Sequence, residues 1–306
     1  MKRAIVTGAL GFIGFHLCSK LIEEGIEVYG IDSKINTAQQ SQADERLLYM
    51  GRNSLFHYIP QPVESIDFSA ILTNDTVIFH LAASTQTDNQ WKILRETIHH
   101  NVKATEHLIK AVTGKGRIVF TSTVQVYGER TGIITERTPS NPINPYGLTK
   151  MAGESLLLQQ SKKNNIEVVI VRLPTVYGPF QREDMAYHQL LKAKLQKKTF
   201  PEIVDRSTYD ILYIEDVVHG LLLAGETTHV NEVYNLSSGM KRQWFKGKEL
   251  ITGKKDIGWR NIRDEVFISN EKVTKKLGFK EKTSIQKGIK EQEEFIKKSL
   301  KLKRLP

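Results

Sequence analysis

The stretch Thr7-Gly8-Ala9-Leu10-Gly11-Phe12-Ile13-Gly14 decides the fold. A β-branched run over residues 4–7 precedes it, and an apolar-periodic segment over residues 14–24 follows it. The order is therefore strand, tight turn, helix. Gly8 permits the turn, Gly11 lets the backbone approach a bound group, and Gly14 lets the helix pack close to the strand. The helix N-terminus, through the amides of Phe12 and Ile13, presents free N–H groups and the positive end of its dipole. That is a site for a pyrophosphate. A second strand over 27–32 ends in an acid, Asp32, 18 residues beyond Gly14. A carboxylate there accepts from both hydroxyls of a ribose and repels a 2′-phosphate. The expected cofactor is a dinucleotide, NAD, with NADP as the alternative because Lys34 lies close enough to soften that repulsion.

Outward from this turn, strands over 77–82, 117–122 and 168–172 alternate with helices over 97–113 and 146–162. Such alternation implies right-handed crossovers and a parallel sheet covered on both faces. The expected class is α/β, a doubly wound Rossmann-type sheet with a smaller, discontinuous C-terminal α/β domain. The pattern loosens after Arg172 and returns over 211–214 (strand), 217–224 (helix) and 233–236 (strand). The expected division is residues 1–172 plus 211–238 for the cofactor domain, and 173–210 plus 239–306 for the substrate domain.

Composition sets limits. The 306 residues are 40% hydrophobic and 25% charged, as in ordinary folded proteins. A single cysteine, Cys18, excludes an internal disulfide and a Cys-rich zinc site, and suits a reducing, cytoplasmic setting. Cys18 sits among apolar neighbours on the first helix and reads as core. No metal site is expected: His99 and His100 are adjacent and point apart on a helix. No apolar run approaches membrane length, and no long apolar segment precedes the glycine turn, so neither a membrane span nor a signal peptide is expected. The net charge of +10 comes from the last fifth of the chain, where residues 241–306 hold 20 basic and 9 acidic side chains. Lysines spotted over a helical segment at 284–302 read as a solvated face. Aromatic or groove-reading elements are missing there, which argues against a nucleic-acid partner.

Tyr146 and Lys150 are four apart, hence on one helix face. Asn144 is placed to cap that helix and Pro145 to open it, which sets Tyr146 in the first turn. A free phenol, with a pKa of about 10, is too weakly acidic to act as a base at neutral pH. A neighbouring ammonium and a cationic nicotinamide are expected to lower it. Chance alone supplies such a spacing in a chain this lysine-rich. Its weight comes from its place after the glycine turn and after Thr121-Ser122-Thr123.

With these motifs assembled, the chain resembles the extended short-chain dehydrogenase/reductases, and within them the NAD-dependent nucleotide-sugar epimerase/dehydratase family. The turn at 7–14, His80-Leu81-Ala82-Ala83, Asn101 to Thr105, Ser122 to Gly128, Tyr146 to Lys150, Arg172 to Pro179 and Ser269 to Gly278 all fall in the family's order. The resemblance implies a catalytic set of Thr123, Tyr146 and Lys150. It implies cofactor contacts along Leu81, Ala82 and Ala83, and a nucleotide-sugar substrate in the cleft between domains. Sugar-side contacts are expected from Ser84, Thr85, Thr123, Val124 and Gln125. His80 is expected to pack, and Asn101 to fix local helix geometry.

Departures from the family narrow the reaction. Sugar 4,6-dehydratases carry an acid pair where this chain has Val124 and Gln125, and neither of these ionises. Thr175 stands where the family often places a diphosphate-binding Asn, and Tyr209 where it places an Arg. Arg206 or Arg263 is expected to supply the phosphate contact. The leading expectation is a UDP- or dTDP-sugar 4-epimerase working through a transient 4-keto sugar. The alternatives are an NAD(P)-dependent oxidoreductase on a deoxy or N-acetylated nucleotide sugar, a dehydratase, and a non-catalytic NAD(H) sensor. The family pattern also implies a homodimer through a four-helix interface built from the helices at 97–113 and 146–162.

Overall fold

The computed structural model describes residues 1–34, 40–85, 94–112, 116–203, 210–255 and 266–302. β1 (Arg3–Thr7), α1 (Phe12–Glu23), β2 (Glu27–Ile31), α2 (Gln40–Met50), β3 (Phe56–Ile59) and β4 (Thr76–His80) form the first half of the sheet. α3 (Leu94–Ile98) runs through a π-helical turn, His99–Lys103, into α4 (Ala104–Ala111) and β5 (Arg117–Thr123). β6 (Ile133–Ile134), α5 (Pro145–Asn164), β7 (Glu167–Leu173), β8 (Thr175–Tyr177) and α6 (Ala186–Leu195) follow. The chain continues with β9 (Ile211–Tyr213), α7 (Ile214–Glu226) and β10 (Glu232–Asn235), then α8 (Gln243–Thr252), β11 (Phe267–Ile268), α9 (Glu271–Leu277) and α10 (Ile285–Leu302).

Seven strands make one sheet, in the order β10-β7-β5-β4-β1-β2-β3, with every pairing parallel. Strand alternation sends side chains to two separate cores. Ala4, Val6, Val28, Phe79 and Val169 pack with Leu17, Leu21, Val217 and Leu221 of α1 and α7. Ile5, Ile78, Ile118, Phe120 and Ile170 pack on the other face with Leu108 and Leu157 of α4 and α5. Cys18 is fully buried in the first core, as its apolar setting predicts, and burial pushes its thiol pKa up. The order reverses between β1 and β4, so the crevice of this doubly wound sheet lies beyond the C-terminal ends of those two strands.

The structure differs from expectation at 211–214. β9 does not join the main sheet; it pairs with β8 in a separate two-stranded sheet, and β10 alone returns to the main sheet beside β7. A three-residue apolar strand carries no sign of which edge it will choose. A second small sheet joins β6 to β11. No described helix is long and apolar enough to cross a membrane.

Candidate active site

The glycine turn closes as its residues dictate. Gly8 has φ +71° and its amide donates to Ile31 O at 2.8 Å. A Cβ on Gly14 would lie 2.1 Å from Gly8 O, so only glycine lets α1 sit this close to β1. Gly11 is the N-cap of α1, with no side-chain cap and no acid in the first turn. The first-turn amides of Phe12 and Ile13 therefore remain available to an anion. Asp32 closes the far side. Its Oδ2 accepts from the Leu10 amide and its Oδ1 from the Lys34 amide, both at 3.0 Å. Burial raises the Asp32 pKa, opposed by those two amides and by the Arg46 and Lys34 charges. Lys34 is not free to receive a 2′-phosphate, because its ammonium pairs with Asp44. This surface, with its glycine cradle, open amides and terminal acid, fits the adenosine and pyrophosphate of a dinucleotide.

The shelf after β4 is held by a directional chain. Ala82 N donates to Thr7 Oγ1 at 3.1 Å, and Thr7 Oγ1 lies 2.7 Å from His80 Nδ1. His80 Nε2 lies 3.1 Å from Thr105 Oγ1, which donates to Asn101 O at 2.7 Å. A hydroxyl that already donates must accept from His80, which assigns the proton to Nε2. Burial drives the His80 pKa down to about 3, so the ring is neutral, a packed strand-end residue as predicted. Asn101, in the π-helical turn, spends its amide on Ser84 N, Ser84 O and Thr149 Oγ1 at 2.7, 3.1 and 3.0 Å. It fixes local geometry, as expected. Leu81, Ala82, Ala83 and Ser84 line this shelf half-exposed, and Thr85 is exposed at its end.

The α5 start is built as its sequence foretells. Asn144 Oδ1 caps Gly147 N at 2.7 Å, Pro145 is the first helical residue, and Tyr146 follows in the first turn. Asn144 Nδ2 also donates to Gln125 Oε1 at 2.9 Å, which ties this helix end to the turn after β5. Thr123 ends β5, and its Oγ1 accepts from Gln125 N at 3.2 Å, leaving its own proton to donate. Val124 is 2% exposed in a small core with Val126, Tyr127, Ile134 and Ile268.

Electrostatics correct one expectation. The Tyr146 phenol is not made more acidic by the protein: burial pushes it up to about 12, and the charge that pulls it back is that of Arg182. Lys150 directs Nζ to Thr121 O at 2.8 Å, with its ammonium 4.6 Å from the centroid of Phe120. Burial lowers the Lys150 pKa to about 7, against the Glu154 charge. Desolvation is the largest influence on each of the two groups. Glu154 is itself bound by Arg172 in a buried two-pronged ion pair, at 2.9 and 2.6 Å.

Arg182 is a site residue that the sequence reading missed. Its Nη1 donates to Thr85 Oγ1 at 2.8 Å, and its Nε and Nη2 grip Asp184. Only the chain's tertiary path brings it to Tyr146, 36 residues away. Thr175 begins β8, half-buried. Arg206, Arg263 and Tyr209 lie outside the described residues. Among the described residues no group of three His, Cys, Asp or Glu could hold a metal.

A family model described as the NAD dependent epimerase/dehydratase family matches residues 4–237. The chain belongs to this family. An uncharacterized UDP-glucose epimerase of Bacillus subtilis, YtcB, is 35% identical over 255 residues, covering 81% of each chain. The UDP-glucuronic acid 4-epimerase of Bacillus cereus, solved in complex with NAD, is 30% identical with a TM-score of 0.82, and the match covers 97% of this chain and 99% of that one. The UDP-glucose 4-epimerase of Thermotoga maritima, solved with UDP-glucose, is 26% identical with a TM-score of 0.80, at the same coverage.

Proposed function

We propose that this chain is an NAD-dependent nucleotide-sugar 4-epimerase acting on a UDP-linked sugar through a transient 4-keto sugar. One observation carries the reading. Thr123 ends β5, Lys150 of α5 bonds the same strand at Thr121 O, and Tyr146 lies one turn before Lys150 on α5, in a sheet whose first crossover is a glycine turn shaped for a dinucleotide. The relatives named above support it.

NAD, when bound, would supply the hydride acceptor and donor, held by the glycine turn and Asp32. Thr123 donates a hydrogen bond that orients the reacting 4-hydroxyl. Tyr146 takes that hydroxyl's proton as C4 loses hydride, and returns it when hydride comes back to the opposite face. Lys150 keeps two donors beyond its bond to Thr121 O, enough to hold a ribose hydroxyl. Arg182 adds a second cation on the substrate side. Ser84, Thr85, Gln125 and Thr175 would meet the sugar nucleotide in this reading. Val124 is spent on packing and Gln125 on Asn144, so neither serves as an acid pair for dehydration.

Incubation with UDP-glucose and with UDP-glucuronate tests the reading. Formation of the C4 epimer with no net change in reduced nicotinamide is expected. Stoichiometric reduced nicotinamide assigns a net oxidoreductase instead. Neither product, with tight NAD binding, assigns a sensor.

The working form is a cytoplasmic homodimer, joined through a four-helix interface of α4 and α5 from each copy. α5 carries Leu148, Ala152 and Leu156 partly exposed at helical spacing, and neighbouring α3 carries Ile98, 39% exposed. Sedimentation as a monomer at micromolar concentration would refute it. The nucleotide sugar is held by the lobe of residues 173–210 plus 239–306, the cofactor by the remainder.

A further inference from the structure

α2 carries a guanidinium with no role in the reading above. Arg46 is 2% exposed. Its Nη1 donates to Leu10 O and its Nη2 to Phe180 O, each at 2.7 Å. Leu10 belongs to the glycine turn. Phe180 belongs to a strap, residues 179–182, that leads into Arg182. One planar fork thus spans two carbonyls 170 residues apart in the chain, a geometry that a single ammonium does not reproduce.

The strap is held in an uncommon conformation. Phe180 has φ +62°, a left-handed backbone that a bulky side chain adopts only under constraint. Its ring packs on Phe15 at 4.7 Å and on Phe295 at 4.4 Å between centroids. His16 Nε2 meets Pro179 O at 3.0 Å; that carbonyl only accepts, so the ring nitrogen donates. Gln181 donates to Val176 O and accepts from Gln292, both at 2.7 Å. Arg182, at the strap's end, then reaches Thr85. The strap's other ties run to helices, to its own neighbourhood and, through Arg182, to Thr85 on the shelf after β4. Among the described side-chain hydrogen bonds, the Arg46 fork is the one that joins it to the glycine turn.

We propose that Arg46 is a positioning residue that couples the glycine turn to the strap, so that filling of the cofactor crevice sets the place of Arg182 beside Tyr146. The route is short and covalently continuous at each end: turn amides, Leu10 carbonyl, guanidinium fork, Phe180 carbonyl, Arg182. Cofactor binding and substrate binding are then linked, each strengthening the other by the same factor. The proposal rests on the dinucleotide reading of the crevice.

Amide hydrogen exchange on the full chain, with and without NAD⁺, tests it in the native protein, Arg46→Lys and Arg46→Met. In the native protein NAD⁺ is expected to slow exchange about tenfold or more both at residues 8–14 and at residues 179–185. Arg46→Lys keeps the buried positive charge but not the fork. It should retain the response at the turn and lose it at the strap. Arg46→Met, if folded, should lose the strap response too; Arg46→Lys carries the test if it is not. An equal strap response in Arg46→Lys assigns the coupling to His16 and the aromatic cluster and overturns the proposal. A turn response without a strap response in the native protein overturns it as well. No response at the turn refutes the cofactor reading itself, and the coupling with it.

Discussion

Asn101 grips the backbone of Ser84 with both ends of its amide, accepting from the Ser84 amide at 2.7 Å and donating to its carbonyl at 3.1 Å. This two-way bond holds the shelf after β4 against the π-helical turn of the next helix. Asn101→Leu leaves Ser84 N, Ser84 O and Thr149 Oγ1 to find other partners. The expected cost is about 2–4 kcal/mol, read as several degrees of Tm, together with weaker NAD binding. A calorimetric scan and a binding titration check both; an unchanged Tm removes the clamp from the account.

Tyr146→Phe removes the phenol proposed above to exchange the 4-hydroxyl proton. Turnover should fall by about 10²–10⁴-fold with NAD binding kept. Turnover within a factor of about three of the native enzyme, on that same scale, would take Tyr146 out of the mechanism.

Lys150 is a buried amine whose folded pKa of about 7 lies below its unfolded value. The unfolded state therefore binds the extra proton between about pH 7 and pH 10, and Lys150 disfavours folding increasingly as pH falls through that window. Lys150→Met should lose activity yet match or exceed the native Tm at pH 6. A clear loss of Tm at that pH would show that the bond to Thr121 O outweighs desolvation.

Asp210 shows the opposite sign. Burial pushes its carboxyl up to about 6, against hydrogen bonds from Ser238 and Ile211. A folded pKa above the unfolded one means that stability is fullest below about pH 4 and declines as pH rises to about 6, by an amount on the order of 3 kcal/mol. Asp210→Asn should flatten this part of the stability–pH curve, measured by urea unfolding from pH 4 to 7. An unaltered slope would assign it to other carboxyls, Glu281 first among them.

Cofactor choice is set by two acids. Asp32 repels a 2′-phosphate and also braces the Leu10 amide, while Asp44 occupies the Lys34 ammonium. Asp32→Ser alone should weaken NAD binding more than it aids NADP. Adding Asp44→Asn frees Lys34, and NADP affinity should then rise by about tenfold over the single variant, the order of one charge-assisted contact. Equal NADP affinity in the two variants would contradict this account.

The cofactor half was readable because its signals are local. The glycine turn, the acid ending β2, and the cap at Asn144 with Pro145 each act within a few residues, and each is found where the spacing places it. The rest depends on distant contacts. β8 and β9 choose each other over the main sheet, and nothing in three apolar residues announces it. Arg182 becomes a neighbour of Tyr146 through the path of a strap, and Arg46 meets Phe180 across 134 residues. The desolvation of Tyr146 and Lys150 escapes a reading of the sequence for a related reason. Their spacing is a sequence property, whereas the water each loses on folding is not.

The donor-to-acceptor chain from Ala82 through Thr7, His80 and Thr105 to Asn101 runs in one sense only, because its imidazole resists protonation down to about pH 3. Reversing it would require both hydroxyls and the ring tautomer to turn over together. Under the shelf after β4, then, lies a relay whose buried imidazole carries no charge at neutral pH.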